Sequence, residues 1–230
     1  MEGSDRLALA LDTDDAVEAL RWARELRDVF GFAKVGLELF ATEGASVIYA
    51  LQELGYRVFL DIKMHDIPTT VYRASRVVGG FGVAMVTFHT QGGEAMLRAG
   101  VAGLGEGAAA AGLSQVPIAL GVTVLTSSAQ VDEEQFQERL GVAAAAGCGG
   151  FVSSAWEVRL GKSLYPDMVA VVPGIRFGPS PLDDQARVAT PSTALAEGAD
   201  LLVIGRSLTR ATDIAAAIAL LESELKPLSG

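Results

Sequence analysis

Three charged residues stand inside or at the end of runs that otherwise read as buried strands, and a fourth follows close behind. Lys34 interrupts the apolar run 32–37. Asp61 and Lys63 close a run rich in β-formers that begins at Val58, and Asp66 follows just beyond. Alternation with period two puts Asp61 and Lys63 on one face of that strand and Ile62 on the other. A carboxylate and an ammonium at the end of a buried strand need a polar cavity, because burying them unsolvated is costly. An exposed ion pair on a connecting loop is the plainer alternative. If the four meet, Lys34, Asp61, Lys63 and Asp66 form a preorganised network of alternating charge. A lysine held among carboxylates stays protonated, which suits a proton donor better than a Schiff-base nucleophile. The same carboxylates could instead hold Mg²⁺.

A second group of residues suits an anion. Gly205-Arg206-Ser207 follows a short apolar run and opens a turn or helix, and Arg176 follows another. Backbone N–H groups at such a turn, with an arginine beside them, favour phosphate, although a glycine turn with a solvated arginine has the same sequence. The connection 174–185 is long, which suits either a lid or a surface excursion. No His/Cys cluster has zinc spacing; the histidines are His65 and His89, and His65 reads as a packing or hydrogen-bonding group. Gly-x-Ser-x-Gly is absent, so no nucleophile elbow of the hydrolase kind is expected.

The elements that must carry these groups alternate. Strand-like runs are expected at 7–11, 32–37, 58–63, 83–89, 116–124, 150–152, 168–172 and 201–204. Helical patterns lie between them at 14–29, 41–54, 69–78, 93–111, 132–146 and 155–160, and a last one covers 212–225. Asp12 or Thr13 is placed to cap the first helix. Strand–helix alternation without a linker implies parallel strands, and eight units in 230 residues fit a (β/α)8 TIM barrel, residues 1–230 as a single domain. The first turn, Asp12-Thr13-Asp14-Asp15, has no glycine, which argues against a dinucleotide site of the doubly wound kind. In a barrel, Asp12, Lys34, Asp61, Lys63, His89, Thr123, Arg176 and Arg206 all end or interrupt strands and are expected to converge on one mouth.

Composition bounds the rest. Half the residues are hydrophobic and 20% are charged, as in a globular protein. A net charge of −10 argues against general binding to nucleic acid or anionic membrane. No charge-free apolar span reaches membrane length, and Asp5 and Arg6 stand where a signal peptide would need an apolar stretch. The lone cysteine, Cys148, cannot pair within the chain, reads as a buried filler, and fits a reducing, cytoplasmic setting.

The run Asp61-Ile62-Lys63-Met64-His65-Asp66-Ile67-Pro68-Thr69-Thr70 resembles the Asp-x-Lys-x-x-Asp-Ile-Pro-x-Thr signature of the orotidine 5′-phosphate decarboxylase family. Leu9-Ala10-Leu11-Asp12 and Lys34-Val35-Gly36 are similar to that family's first two strands. Val172-Pro173-Gly174-Ile175-Arg176, Gln185 and Ile204-Gly205-Arg206 are similar to its later motifs. The resemblance covers essentially the whole chain. The Asp-x-Lys-x-x-Asp portion is shared with Mg²⁺-dependent phosphosugar decarboxylases and lyases of the same barrel group, whereas Ile-Pro-x-Thr and the later motifs point to the orotidylate branch.

The resemblance implies a carboxy-lyase that converts orotidine 5′-phosphate to UMP, the last step of de novo pyrimidine synthesis, with no cofactor and no metal. It implies that Lys63 delivers a proton to C6, that Asp61 lies against the departing carboxylate and that Lys34 orients the charges. Asp12 and Lys34 would contact the ribose. Arg176, Gly205 and Arg206 would hold the phosphate, and Gln185 would bridge phosphate and base. Ile67 and Pro173 would give the leaving CO2 an apolar environment. Ser127, Ser128 or backbone groups of the loop after the fifth strand would read the pyrimidine. A homodimer is implied, with Asp66 and Thr70 reaching across into the partner's site. A non-catalytic barrel that binds a phosphorylated ligand is the remaining alternative.

Overall fold

A run such as Leu7-Ala8-Leu9-Ala10-Leu11, short and apolar at every position, fits a strand covered on both faces. In the computed structural model of the chain, which describes residues 4–124, 132–178 and 188–225, that run is β1 (Leu7–Leu11), and all five residues are buried. Seven more strands follow: β2 (Phe32–Gly36), β3 (Arg57–Met64), β4 (Met85–His89), β5 (Ile118–Val122), β6 (Gly150–Val152), β7 (Val169–Val172) and β8 (Leu201–Ile204). Each pairs in parallel with the next, and β8 returns to β1, closing an eight-stranded barrel. Between the strands run α1 (Ala16–Glu25), α2 (Leu37–Glu43), α3 (Ala45–Glu53), α4 (Pro68–Gly79), α5 (Gly93–Ala110), α6 (Glu133–Ala145), α7 (Ala155–Leu164) and α8 (Pro191–Ala196), and α9 (Arg206–Thr209) and α10 (Ile214–Leu225) follow the last strand. This is the (β/α)8 architecture expected from the alternation of patterns.

The period of two divides the core. Ala8, Ala10, Phe32, Phe59, Leu120, Val122, Val171 and Val203 pack inside the barrel. Leu7, Leu9, Leu11, Val35, Leu60, Val86 and Val172 face the helices and form a larger cluster with them. Small residues on β1 leave room on the inner face, and the paired trio Ala10, Lys34 and Phe59 puts a lysine at the top of that filled interior.

Three helical expectations need correction. The helix expected over 41–54 is two helices, because Gly44 takes φ +61° and breaks the path between α2 and α3. The cap of α1 is Asp15, whose carboxylate accepts from the N–H groups of Val17 and Glu18; Asp12 and Thr13 lie too far upstream to reach them. Helix α8 was not expected, yet Thr190 caps it and Pro191 opens it. Cys148 is buried as expected, and burial pushes its thiol up to about 12.

Helices α4 and α5 flank the charged end of β3, and their backbones nearly touch. A Cβ at Gly79 would run into the Leu104 carbonyl, one at Gly103 into the Tyr72 carbonyl, and one at Gly107 into the Arg76 carbonyl. Gly107→Ala is therefore expected to cost about 1–3 kcal/mol through overpacking. The check is thermal unfolding, where each kcal/mol lowers Tm by roughly 2–4 °C in a chain of this size. An unchanged Tm would mean that the helices can part without cost.

Candidate active site

Charge gathers at the C-terminal ends of β1, β2 and β3. Lys34 on β2 is buried, and its ammonium donates to Asp12 Oδ1 at 2.8 Å, just beyond β1. The same ammonium lies 3.8 Å from Asp61 Oδ2 on β3. Lys63 Nζ donates to Asp61 Oδ1 at 2.8 Å. The result is one chain of ion pairs, Asp12–Lys34–Asp61–Lys63. Gly36 leaves space for it, since a Cβ there would come within 3.2 Å of Asp12 Oδ1 and 3.3 Å of Lys34 Nζ.

Asp61 and Lys63 do face one cavity, and Ile62 does pack toward the helices, but not along a regular strand. The pairing of β3 with β4 shifts after Leu60: β3 advances four residues to Met64 while β4 advances two, from Val86 to Phe88. Lys63 sits in this bulge with φ +47°, the one non-glycine residue at positive φ among the described residues. A left-handed conformation at a side chain with a Cβ is strained, and such strain persists only where the surroundings enforce it. Thr87, buried on β4, accepts a hydrogen bond from the Lys63 backbone N–H and donates one to Asp61 Oδ1, both at 2.9 Å. Thr87 was missed in the sequence; a polar residue in the middle of Met85-Val86-Thr87-Phe88 was the available signal.

Burial alone pushes the Asp61 carboxyl up, but the charges of Lys34 and Lys63 and the hydrogen bonds from Lys63 and Thr87 outweigh it. The net direction is down, so Asp61 is held ionised below the usual carboxylate range.

The cavity at this mouth has a volume of about 390 Å³, enough for a small phosphorylated ligand. Asp12, Lys34, Asp61 and Lys63 line one side. Pro173, Gly174 and Arg176 after β7, and Gly205 and Arg206 after β8, line the other. Valines 122, 152, 171 and 203 supply apolar surface. Loops after the last two strands are a recurrent phosphate site in barrels.

Other expected site residues lie elsewhere. His89 and Thr123 do not line the cavity, because their side chains turn aside at the strand ends. His89 stacks on His65 with ring centroids 5.4 Å apart and accepts from the Gln91 N–H. Thr123 is buried and donates to the Val152 carbonyl. Ile67, expected beside the leaving CO2, is exposed at the start of α4 and does not line the cavity. Asp66 and Thr70 are exposed and outside their own chain's cavity; the Asp66 carboxylate accepts from the Ile67 N–H at 2.7 Å. Ser127, Ser128 and Gln185 lie outside the described residues. Among the described residues, no three His, Cys, Asp or Glu side chains group as metal ligands, and no helix is long and apolar enough to cross a membrane.

Fold and site together define a (β/α)8-barrel protein with a charged cavity at the C-terminal mouth, cationic on the side of the last two strands. Residues 5–221 match the model of the orotidine 5′-phosphate decarboxylase / HUMPS family, and the chain belongs to that family. It is 46% identical to the orotidine 5′-phosphate decarboxylase of Dichelobacter nodosus over 92% of this chain and 95% of that one. Identity to the enzyme of the same name from Nitratidesulfovibrio vulgaris is 44%, covering 95% and 97%. The crystal structure of orotidine 5′-phosphate decarboxylase from Lactobacillus acidophilus superposes with a TM-score of 0.80 at 32% identity, covering 96% of this chain and 99% of that one.

Proposed function

We propose that this chain decarboxylates orotidine 5′-phosphate to UMP. The observation that carries the reading is the ion-pair chain Asp12–Lys34–Asp61–Lys63 facing Arg176 and Arg206 across one cavity. The arginines and Gly205 hold the 5′-phosphate, Asp12 and Lys34 contact the ribose, and the C6 carboxylate lies against Asp61. The C6–carboxylate bond breaks, its electron pair stays on C6, and CO2 leaves past Pro173. Lys63 then gives its proton to C6 and is reprotonated from water. A C6 carbanion has little delocalisation, so preorganised charge must stabilise it, and binding of the remote phosphate helps organise the site. Proton and charge both come from side chains, so this mechanism requires no cofactor. A cytoplasmic setting follows from the substrate.

The test is turnover of orotidine 5′-phosphate in EDTA, followed by loss of the orotate chromophore. Activity in EDTA supports the proposal. Inactivity that is relieved by Mg²⁺ with a keto-sugar phosphate would assign the chain to the metal-dependent branch. The geometry favours the first outcome, because the Lys34 ammonium already fills the space between Asp12 and Asp61. Tight UMP binding with no turnover of either substrate would leave a binding barrel.

The active unit in this proposal is a homodimer, with Asp66 and Thr70 completing the partner's site. Supporting this, Asp66 belongs to the signature run yet stands exposed outside its own cavity, beside an exposed Ile67. Asp66→Ala is expected to lose about 10²-fold in kcat. Mixing it with Lys63→Ala should restore activity, since a two-fold dimer of the two variants regenerates one intact site. Random exchange returns about a quarter of the wild-type rate. No recovery after verified subunit exchange would place Asp66 in its own chain's site.

A further inference from the structure

We propose that Thr87 is a positioning residue that sets the geometry of the Asp61–Lys63 pair through its single hydroxyl. The proposal deepens the decarboxylase reading and rests on it for its kinetic part.

β3 has two residues more than β4 between the pairs Leu60–Val86 and Met64–Phe88, so the backbone ladder between these strands is interrupted where the reacting groups must be placed. A bulge leaves a backbone donor without its ladder acceptor and turns side chains to new directions. Here the orphaned donor is the Lys63 N–H, and the Thr87 hydroxyl oxygen takes the place of the missing carbonyl. The same hydroxyl spends its proton on Asp61 Oδ1, the oxygen that also receives the Lys63 ammonium. A hydroxyl has one proton to give and lone pairs to accept with, so one side chain can serve both contacts.

Two consequences follow. The positive φ of Lys63 is pinned from the neighbouring strand, which directs its side chain into the cavity. The Asp61 carboxylate is held by three groups: the Lys63 ammonium, the Lys34 ammonium and the Thr87 hydroxyl. Thr87 is fully buried and does not line the cavity, so it acts through its neighbours and touches no substrate.

The test compares Thr87→Val, which keeps the shape and removes both hydrogen bonds, with Thr87→Ser, which keeps the hydroxyl. Thr87→Ala replaces the valine variant should that one not fold. Loss of the hydroxyl should lower kcat by about 10²-fold, the size expected when reacting groups are misplaced by about an ångström. KM should stay within about threefold, because the phosphate contacts lie across the cavity. Independently of turnover, the Asp61 carboxyl followed by carbon NMR should titrate at higher pH in Thr87→Val than in wild type. The charged groups facing it, Lys34 from β2 and Lys63 from β3, with Asp12 behind Lys34, are the same in both proteins. Thr87→Ser should restore the rate and the titration. An Asp61 titration unmoved in Thr87→Val, or a serine variant as impaired as the valine one, would overturn the proposal. Failure of the wild type to turn over would instead remove the decarboxylase reading, and the titration would still decide the role of Thr87.

Discussion

Lys63→Ala should lose about 10⁴-fold in kcat, the upper range for removal of a positioned general acid. In the proposed mechanism the residue supplies both the proton and the cation nearest the developing charge, so one truncation removes two effects that act on the same transition state. No other group can substitute. Lys34 is buried and committed to Asp12 at 2.8 Å and Asp61 at 3.8 Å, and the arginines stand on the far side of the cavity. Binding of UMP should survive, because the arginines proposed to hold the phosphate are untouched. The variant therefore separates chemistry from affinity, measured as single-turnover decarboxylation beside equilibrium binding of UMP. A rate within tenfold of wild type would assign the proton to another donor. A parallel loss of UMP binding would show that Lys63 holds the ligand instead.

The scaffold of this site was legible where burial is two-sided. Strands β1, β6 and β8 begin and end at the expected residues, because a strand covered on both faces is an unbroken apolar run. Lys34, Asp61 and Lys63 were legible for the converse reason: a charge in such a run has no cheap structural explanation. His89 and Thr123 were over-read. Position at a strand end says nothing about whether the side chain turns inward, and both turn away from the cavity. The bulge in β3 could not be read at all. Simple alternation places Asp61 and Lys63 on one face, which is where they lie, but the path runs through a left-handed Lys63 and a register shift that only the neighbouring strand reveals.

Thr87 stayed hidden because threonine is an ordinary strand residue. Its significance depends on what lies opposite, and local pattern does not contain that information. The break at Gly44 and helix α8 were hidden less deeply. Glu43-Gly44-Ala45 and Thr190-Pro191 are both recognisable boundary signals, outweighed by the apolar periodicity around the first and by the loop-like residues before the second.

Asp61→Asn should lower kcat by about 10³-fold while leaving KM unchanged or reduced. The substitution preserves shape and keeps a carbonyl oxygen for Thr87 and Lys63, so it removes charge and little else. In the proposed mechanism, a substrate carboxylate at C6 meets a carboxylate that burial would neutralise but that two lysines and Thr87 keep ionised. That arrangement opposes the bound ground state, and the opposition disappears as CO2 leaves. With asparagine in place, the charges of Lys34 and Lys63 are no longer offset by Asp61 and attract the substrate carboxylate itself. The ground state is then better bound and further from reaction, which is why kcat and KM should fall together. Stability carries an independent signature. The folded-state pKa of Asp61 is depressed, so its contribution is present above its unfolded value, about 3.9, and is lost as pH falls through the lower folded value. Wild type and Asp61→Asn should therefore differ most in Tm near neutral pH and converge in acid below the usual carboxylate range. A variant with raised KM and unchanged kcat would recast Asp61 as a binding group, and a difference in Tm that persisted unchanged into acid would show that its charge is not what the fold uses.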